Sequence, residues 1–215
     1  MKKIPGLELS VQNIFCIGRN YAEHAKELGN AVPAEPVVFL KPTSAICYDG
    51  EFIELPRQSN RVDHELEVVV AIGRKGKNIP AGEAHGYIAG LGIGIDVTAR
   101  DLQEKAKETK MTWDLSKGFD TFAPISSFIL PPSDPARLMN LKFDLNVNGV
   151  LRQQGTTADM LHSIPKIIEY LSQAFTLSPG DLIFTGTPKG VAPLKSGDQC
   201  VARLEDWTEL RIQVR

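Results

Sequence analysis

The sequence predicts an α+β fold in which β-structure dominates and helices are few and short. Glycine and proline make up about 15% of the chain, 18 Gly and 14 Pro in 215 residues, against an average of about 12%. That excess means many turns, hence many short strands rather than a helix bundle. The apolar runs agree: most are short, rich in Val and Ile, and bounded by Gly, Pro, Asn or Asp. No internal repeat, low-complexity segment or linker interrupts the chain, so residues 1–215 read as one domain with 1–13 as an N-terminal segment.

Residues 11–17 form the first candidate strand, which runs into Gly18-Arg19-Asn20-Tyr21; residues 22–28 then read as one or two helical turns closed by Gly29-Asn30. Short strands are expected at 37–40 and 52–55. Residues 65–72 are a β-branched run stopped by Gly73-Arg74-Lys75-Gly76. Across 88–95 glycine alternates with apolar residues, which signals close approach of another backbone or of a ligand. Residues 98–110 predict a helix with a charged, exposed face built from Asp101, Glu104, Lys105, Lys107, Glu108 and Lys110. Residues 141–147 and 150–154 flank Asn148-Gly149, a hairpin turn in which both central residues take positive φ. Apolar residues recur with a helical period over 159–175, where Pro165 is tolerable only in a first turn or at a kink. Residues 182–185, 200–204 and 208–214 predict a terminal β-meander.

Composition narrows the function. Lys and Arg number 24 against 26 Asp and Glu, a formal charge of −2 without a basic block, so nucleic acid is not an expected partner. Three scattered cysteines, Cys16, Cys47 and Cys200, make neither a disulfide framework nor a zinc knuckle and read as reduced thiols. No apolar run reaches membrane-span length and none resembles a secretory signal, so no membrane partner is expected and a cytoplasmic protein is the default.

Several residues stand out for chemistry. Glu65 and Glu67 are two apart, so on a strand their carboxylates share a face. Paired oxygen ligands suit a hard divalent ion, Mg²⁺ or Mn²⁺ ahead of Zn²⁺; the alternative is a solvent-facing pair on an edge strand. Asp96 ends the glycine-rich strand and either projects into a pocket beside them or caps the helix that follows. His24 and Glu27, three apart on a short helix, suit a general base oriented by a carboxylate, or equally a surface ion pair. Lys117, in a polar and aromatic loop, either stabilises a developing enolate or is solvated. Neither Gly186-Thr187-Pro188-Lys189-Gly190 nor the glycines at 90–94 has the spacing of a nucleotide-binding loop.

The ordered set Asn20-Tyr21-x-x-His24-x-x-Glu27, Glu65-x-Glu67, Gly94-Ile95-Asp96-Val97-Thr98-Ala99-Arg100-Asp101, Lys117-Gly118-Phe119-Asp120 and Thr185-Gly186-Thr187-Pro188-x-Gly190 resembles the fumarylacetoacetate hydrolase family. It is most similar to the short single-domain branch that includes acylpyruvate hydrolases and oxaloacetate-acting enzymes. The resemblance implies a mixed β-sheet roll with a few short helices, a homodimer, and Mg²⁺ or Mn²⁺ held by Glu65, Glu67 and Asp96. It also implies catalytic roles for His24, Glu27 and Lys117, with the His24 helix as a lid that orders on substrate binding, and substrate contacts from Arg19, Gln103 and Thr187. The implied activity is metal-dependent hydrolysis of a C–C bond in an acylpyruvate or fumarylpyruvate, a small 2,4-dioxo acid, through a stabilised enolate. Oxaloacetate decarboxylation or keto–enol tautomerisation on the same site is the alternative, and a metal-dependent small-acid binding protein is the non-catalytic one.

Overall fold

A strand that must be buried on both faces needs partners on both edges, and the most continuous β-branched run of this chain acquires them. The structure, a computed structural model, describes residues 1–27 and 34–215. β1 (Ile14–Gly18) turns through Arg19, held at φ +58°, toward α1 (Ala22–Glu27). Leu28, Gly29 and Asn30, expected to finish that helix, lie outside the described residues. Four short strands follow: β2 (Val37–Lys41), β3 (Ile46–Tyr48), β4 (Phe52–Ile53) and β5 (Val62–His64). β6 (Leu66–Ile72) is buried at every residue and pairs antiparallel with β7 (Ile88–Ile95). Next come β8 (Thr98–Ala99), α2 (Arg100–Glu108), α3 (Asp114–Lys117) and β9 (Ala123–Ile125). The hairpin of β10 (Lys142–Val147) and β11 (Val150–Thr156) turns at Asn148 and Gly149, with φ +54° and +76° as the sequence requires. The chain ends in α4 (Ile164–Ala174), β12 (Leu182–Phe184), β13 (Ala192–Pro193), β14 (Gln199–Leu204) and β15 (Thr208–Val214).

Among the described residues these strands form a seven-stranded mixed sheet in the order β2-β1-β12-β6-β7-β9-β3, a five-stranded sheet β11-β10-β14-β15-β4, and a three-stranded one, β13-β5-β8. The five-stranded sheet packs against β7 through β14 and β15, so β6 and β7 are enclosed. The result is α+β and strand-rich with short helices, as expected. All three cysteines are free and buried.

Four local expectations change. The helix placed at 98–110 starts at Arg100, because Thr98 and Ala99 are held as a strand against Asp63 and Val62, and Lys107, expected on its exposed face, is half-buried instead. The helix placed at 159–175 starts at Ile164; Met160 instead bridges to Tyr21, and Pro165 falls in the first turn, where its missing N–H has no partner to lose. The terminal meander is only a β14–β15 pair, since β12 inserts between β1 and β6 in the other sheet. The glycines of β7 serve packing rather than a ligand: a Cβ at Gly92 would lie 2.9 Å from the Phe128 ring, and one at Gly94 3.0 Å from the Pro124 carbonyl.

Candidate active site

The register of β6 against β7 builds the centre. Leu66 faces Ile95 and Glu67 faces Gly94, so the residues just before β6 and just after β7 are neighbours, and the Asp96 N–H donates to the Glu65 carbonyl at 2.7 Å. Glu65, Glu67 and Asp96 are buried, and one carboxylate oxygen from each lies within 4.8 Å of the others. Asp96 does not cap α2; that position belongs to Ala99. The solvent-facing alternative for the Glu65 and Glu67 pair is excluded by their burial.

Three buried carboxylates repel one another unless cations stand among them. Glu65 has two: Lys117 Nζ at 2.8 Å from Oε2, and Arg100 on Oε1. Burial alone would raise its pKa, but Lys117 and Arg100 together outweigh burial and hold it well below the ordinary carboxylate range. Lys117 also reaches Asp96 Oδ2 and Thr98 Oγ1, each at 2.6 Å; burial works against its charge, yet Asp96 and Glu65 more than compensate and raise its pKa. Among the described residues Glu67 receives only the Gly186 N–H, at 2.7 Å, and burial followed by the charges of Asp96 and Glu65 pushes it well above its usual value.

Asp96 Oδ1 is the telling atom. Lys41 Nζ stands 2.7 Å away, an ion-pair distance, but donates to the carbonyls of Val97, Lys117 and Phe122, which use all three of its hydrogens. Among the described residues Oδ1 is therefore buried without a hydrogen-bond donor. A lone pair left open beside Glu67, whose own charge lacks a partner, fits a bound cation. The donor set, three carboxylates with no Cys or His, fits Mg²⁺ or Mn²⁺.

Beside this centre lies a narrow cleft of about 30 Å³, lined by Gly18, Arg19, His24, Phe39, Glu65, Arg100, Gln103, Lys107, Trp113 and Lys117. α1 carries His24 into it and leaves Glu27 half-exposed, its carboxylate 3.4 Å from His24 Nδ1 and anchored by the Gly190 N–H at 3.1 Å. Burial, the dominant effect, holds the His24 imidazole below its ordinary pKa, against the pull of Glu65 and Glu27. It is thus neutral and able to accept a proton. A larger cleft, about 350 Å³ between Tyr21, Glu23, Asp159 and Lys189, does not touch the carboxylates.

Of the sequence-predicted residues, the structure gathers Glu65, Glu67, Asp96, Lys117, His24, Arg19 and Gln103 at this centre and cleft. Gln103 is turned inward by Arg100, whose Nη1 donates to its Oε1 at 2.7 Å. Thr187 stands apart from the cleft lining, on the Glu67 side, where its hydroxyl accepts from Gln153. Sequence reasoning missed Arg100, which spans Asp63, Glu65 and Gln103, and Lys41 behind Asp96. Lys41 is the last residue of β2 and Arg100 follows the two-residue β8, positions that carry no sequence signal of a site.

Known proteins resemble this chain along nearly its whole length. The family description "Fumarylacetoacetate (FAA) hydrolase C-terminal" matches residues 13–215. Over 201 residues the chain is 46% identical to a mitochondrial oxaloacetate tautomerase of Arabidopsis thaliana, covering 94% of this chain and 90% of that one. Over 188 residues it is 46% identical to a mitochondrial oxaloacetate decarboxylase of Dictyostelium discoideum, covering 86% and 85%. The crystal structure of fumarylpyruvate hydrolase from Pseudomonas aeruginosa, in complex with Mn²⁺ and pyruvate, superposes with a TM-score of 0.90 at 33% identity, over 100% of this chain and 97% of that one. The five ordered motifs, the strand-rich fold and these matches lead to one assignment: the chain belongs to the fumarylacetoacetate hydrolase family.

Proposed function

We propose that this chain is a divalent-metal-dependent enzyme of small 2-oxo acids that moves a proton at the carbon beside the 2-oxo group, with keto–enol conversion of oxaloacetate as its reaction. The observation that carries this reading is His24, a buried and neutral imidazole in the same narrow cleft as Glu65 and Lys117. Two relatives at 46% identity, one named an oxaloacetate tautomerase and the other an oxaloacetate decarboxylase, support the choice of acid. Mg²⁺ or Mn²⁺ held by Glu65, Glu67 and Asp96 would supply Lewis acidity toward the carboxylate and 2-oxo oxygens of the substrate.

The residues of the chain do the rest. Glu27, facing Nδ1, favours the tautomer that carries its proton there, which leaves the Nε2 lone pair free. Nε2 takes a proton from C3, the C–H electron pair moves into the C2–C3 bond, and Lys117, still charged, stabilises the negative charge that collects on the 2-oxo oxygen. That oxygen takes a proton from solvent to give the enol while His24 Nε2 returns its proton to solvent, and the reverse path returns the ketone.

A second reading is hydrolytic cleavage of an acylpyruvate, supported by the likeness to fumarylpyruvate hydrolase over the whole chain. There His24, oriented by Glu27, would take its proton from water instead of carbon. Homodimer formation is part of the proposal, and light scattering at twice the chain mass checks it.

Turnover of oxaloacetate and of an acylpyruvate, followed by enol absorbance and pyruvate release with Mg²⁺ present, tests both readings. His24→Ala is expected to slow enol–keto conversion at least about a hundredfold, the scale of a lost general base. Decarboxylation, which needs no base at C3, should fall far less. Equal loss of both activities, or full activity after exhaustive chelation, would contradict the assignment.

A further inference from the structure

The cleft holds more positive charge than the proposed chemistry uses. Four cations line it, Arg19, Arg100, Lys107 and Lys117, against one carboxylate, Glu65. Arg100 and Lys117 are committed to Asp63, Glu65 and Asp96. Arg19 and Lys107 have no acidic partner among the described residues.

Both belong to the end of the cleft built on Trp113. Lys107 Nζ stands 5.7 Å from the indole centroid, and a Cβ on Gly18, the residue before Arg19, would touch the same indole at 3.5 Å. Phe39 packs edge-on against Trp113 with centroids 5.7 Å apart and has the Lys117 ammonium 4.9 Å from its own centroid. The aromatic pair therefore links an end with two uncommitted cations to the end that holds Lys117 and Glu65. Arg19 is half-buried and held at φ +58°, a left-handed conformation that is strained for a non-glycine residue. Burial, followed by the nearby charges of Arg100 and Arg19, lowers the Lys107 pKa, and the pull of Glu65 does not offset them. Two unpaired, partly desolvated cations at one end of a cleft make a site for an anion.

We infer that Arg19 and Lys107 form the subsite for a second carboxylate of the substrate, which makes this a site for dicarboxylic 2-oxo acids over their monocarboxylic counterparts. This rests on the proposed 2-oxo acid chemistry and adds to it the feature of the substrate that is read at the Trp113 end. Arg100 and Lys117 would attend the reacting end, while Arg19 and Lys107 would select for length and charge.

The test compares oxaloacetate with acetylpyruvate, which has a methyl ketone where the other has a carboxylate, on the whole protein with Mg²⁺. Lys107→Met and Arg19→Gly are the variants; glycine adopts positive φ freely, so the second removes the charge without straining the backbone. Each variant is expected to raise KM for oxaloacetate about tenfold with kcat little changed, and to leave KM for acetylpyruvate alone; Lys107→Arg should restore the discrimination. An equal rise for both substrates, or no change for either, overturns the subsite while the proposed chemistry stands. Wild-type protein that turns over neither acid overturns the proposed chemistry and the subsite with it.

Discussion

Glu67 shows how single residues set the behaviour of the centre. Glu65 is charged because Arg100 and Lys117 surround it, whereas Glu67, two residues away, has only the Gly186 N–H among the described residues and is driven toward its neutral form by burial, Asp96 and Glu65. A metal ion binds the carboxylate, not the acid, so binding must displace the Glu67 proton. The sign follows: Glu67 has a raised pKa in the metal-free protein, so metal affinity increases as pH rises toward that pKa and levels off above it. Titration calorimetry of chelated protein with Mn²⁺, in buffers of different ionisation enthalpy, is expected to show proton release that disappears in Glu67→Gln. Metal binding with no proton uptake or release would place the metal elsewhere. His24 gives the second pH effect. Its depressed pKa keeps the base form present below the ordinary histidine range, so the acid limb of kcat/KM should fall below about pH 6.5. A limb above that value would mean that His24 is not the base.

At the scale of elements, pairing does what spacing alone does not. That Glu65 and Glu67 share a face was legible from their separation by two, and that Asp96 ends a strand was legible from the glycine-apolar alternation before it. Their meeting depends on β6 running antiparallel to β7 in the register that sets Leu66 against Ile95. The same alternation did mean close approach, and of the two alternatives it left open the backbone is the one found, at Pro124 and Ile129, together with the Phe128 ring. Gly92→Ala would place a methyl 2.9 Å from the Phe128 ring in an enclosed core. The expected loss is about 1–3 kcal/mol, read as a lower Tm. Gly82→Ala, where nothing lies within 4 Å, should change stability by less than about 1 kcal/mol. Similar melting of the two variants would contradict the packing account. Lys41 and Arg100 were not legible as site residues because a single cation after an apolar strand has no periodic signature, and its partners are more than thirty residues away in sequence.

Across the whole molecule, a strand-rich scaffold encloses a charged centre that an apolar core would ordinarily exclude. Buried carboxylates without full compensation oppose folding, and a ligand that binds only the folded chain returns that stability by linkage. The fold class was readable from turn residues and short β-branched runs. The membership of β12 in the large sheet was not, because parallel pairing with β1 joins segments at opposite ends of the chain. The central claim is that Glu65, Glu67 and Asp96 together hold one divalent ion, and its most direct test is to count Mn²⁺ bound to the chelated protein by electron paramagnetic resonance. One tightly bound Mn²⁺ per chain is predicted, lost in folded Glu67→Gln and Asp96→Asn variants. A folded wild-type chain that binds no Mn²⁺, or variants that bind it as the wild type does, would contradict the account.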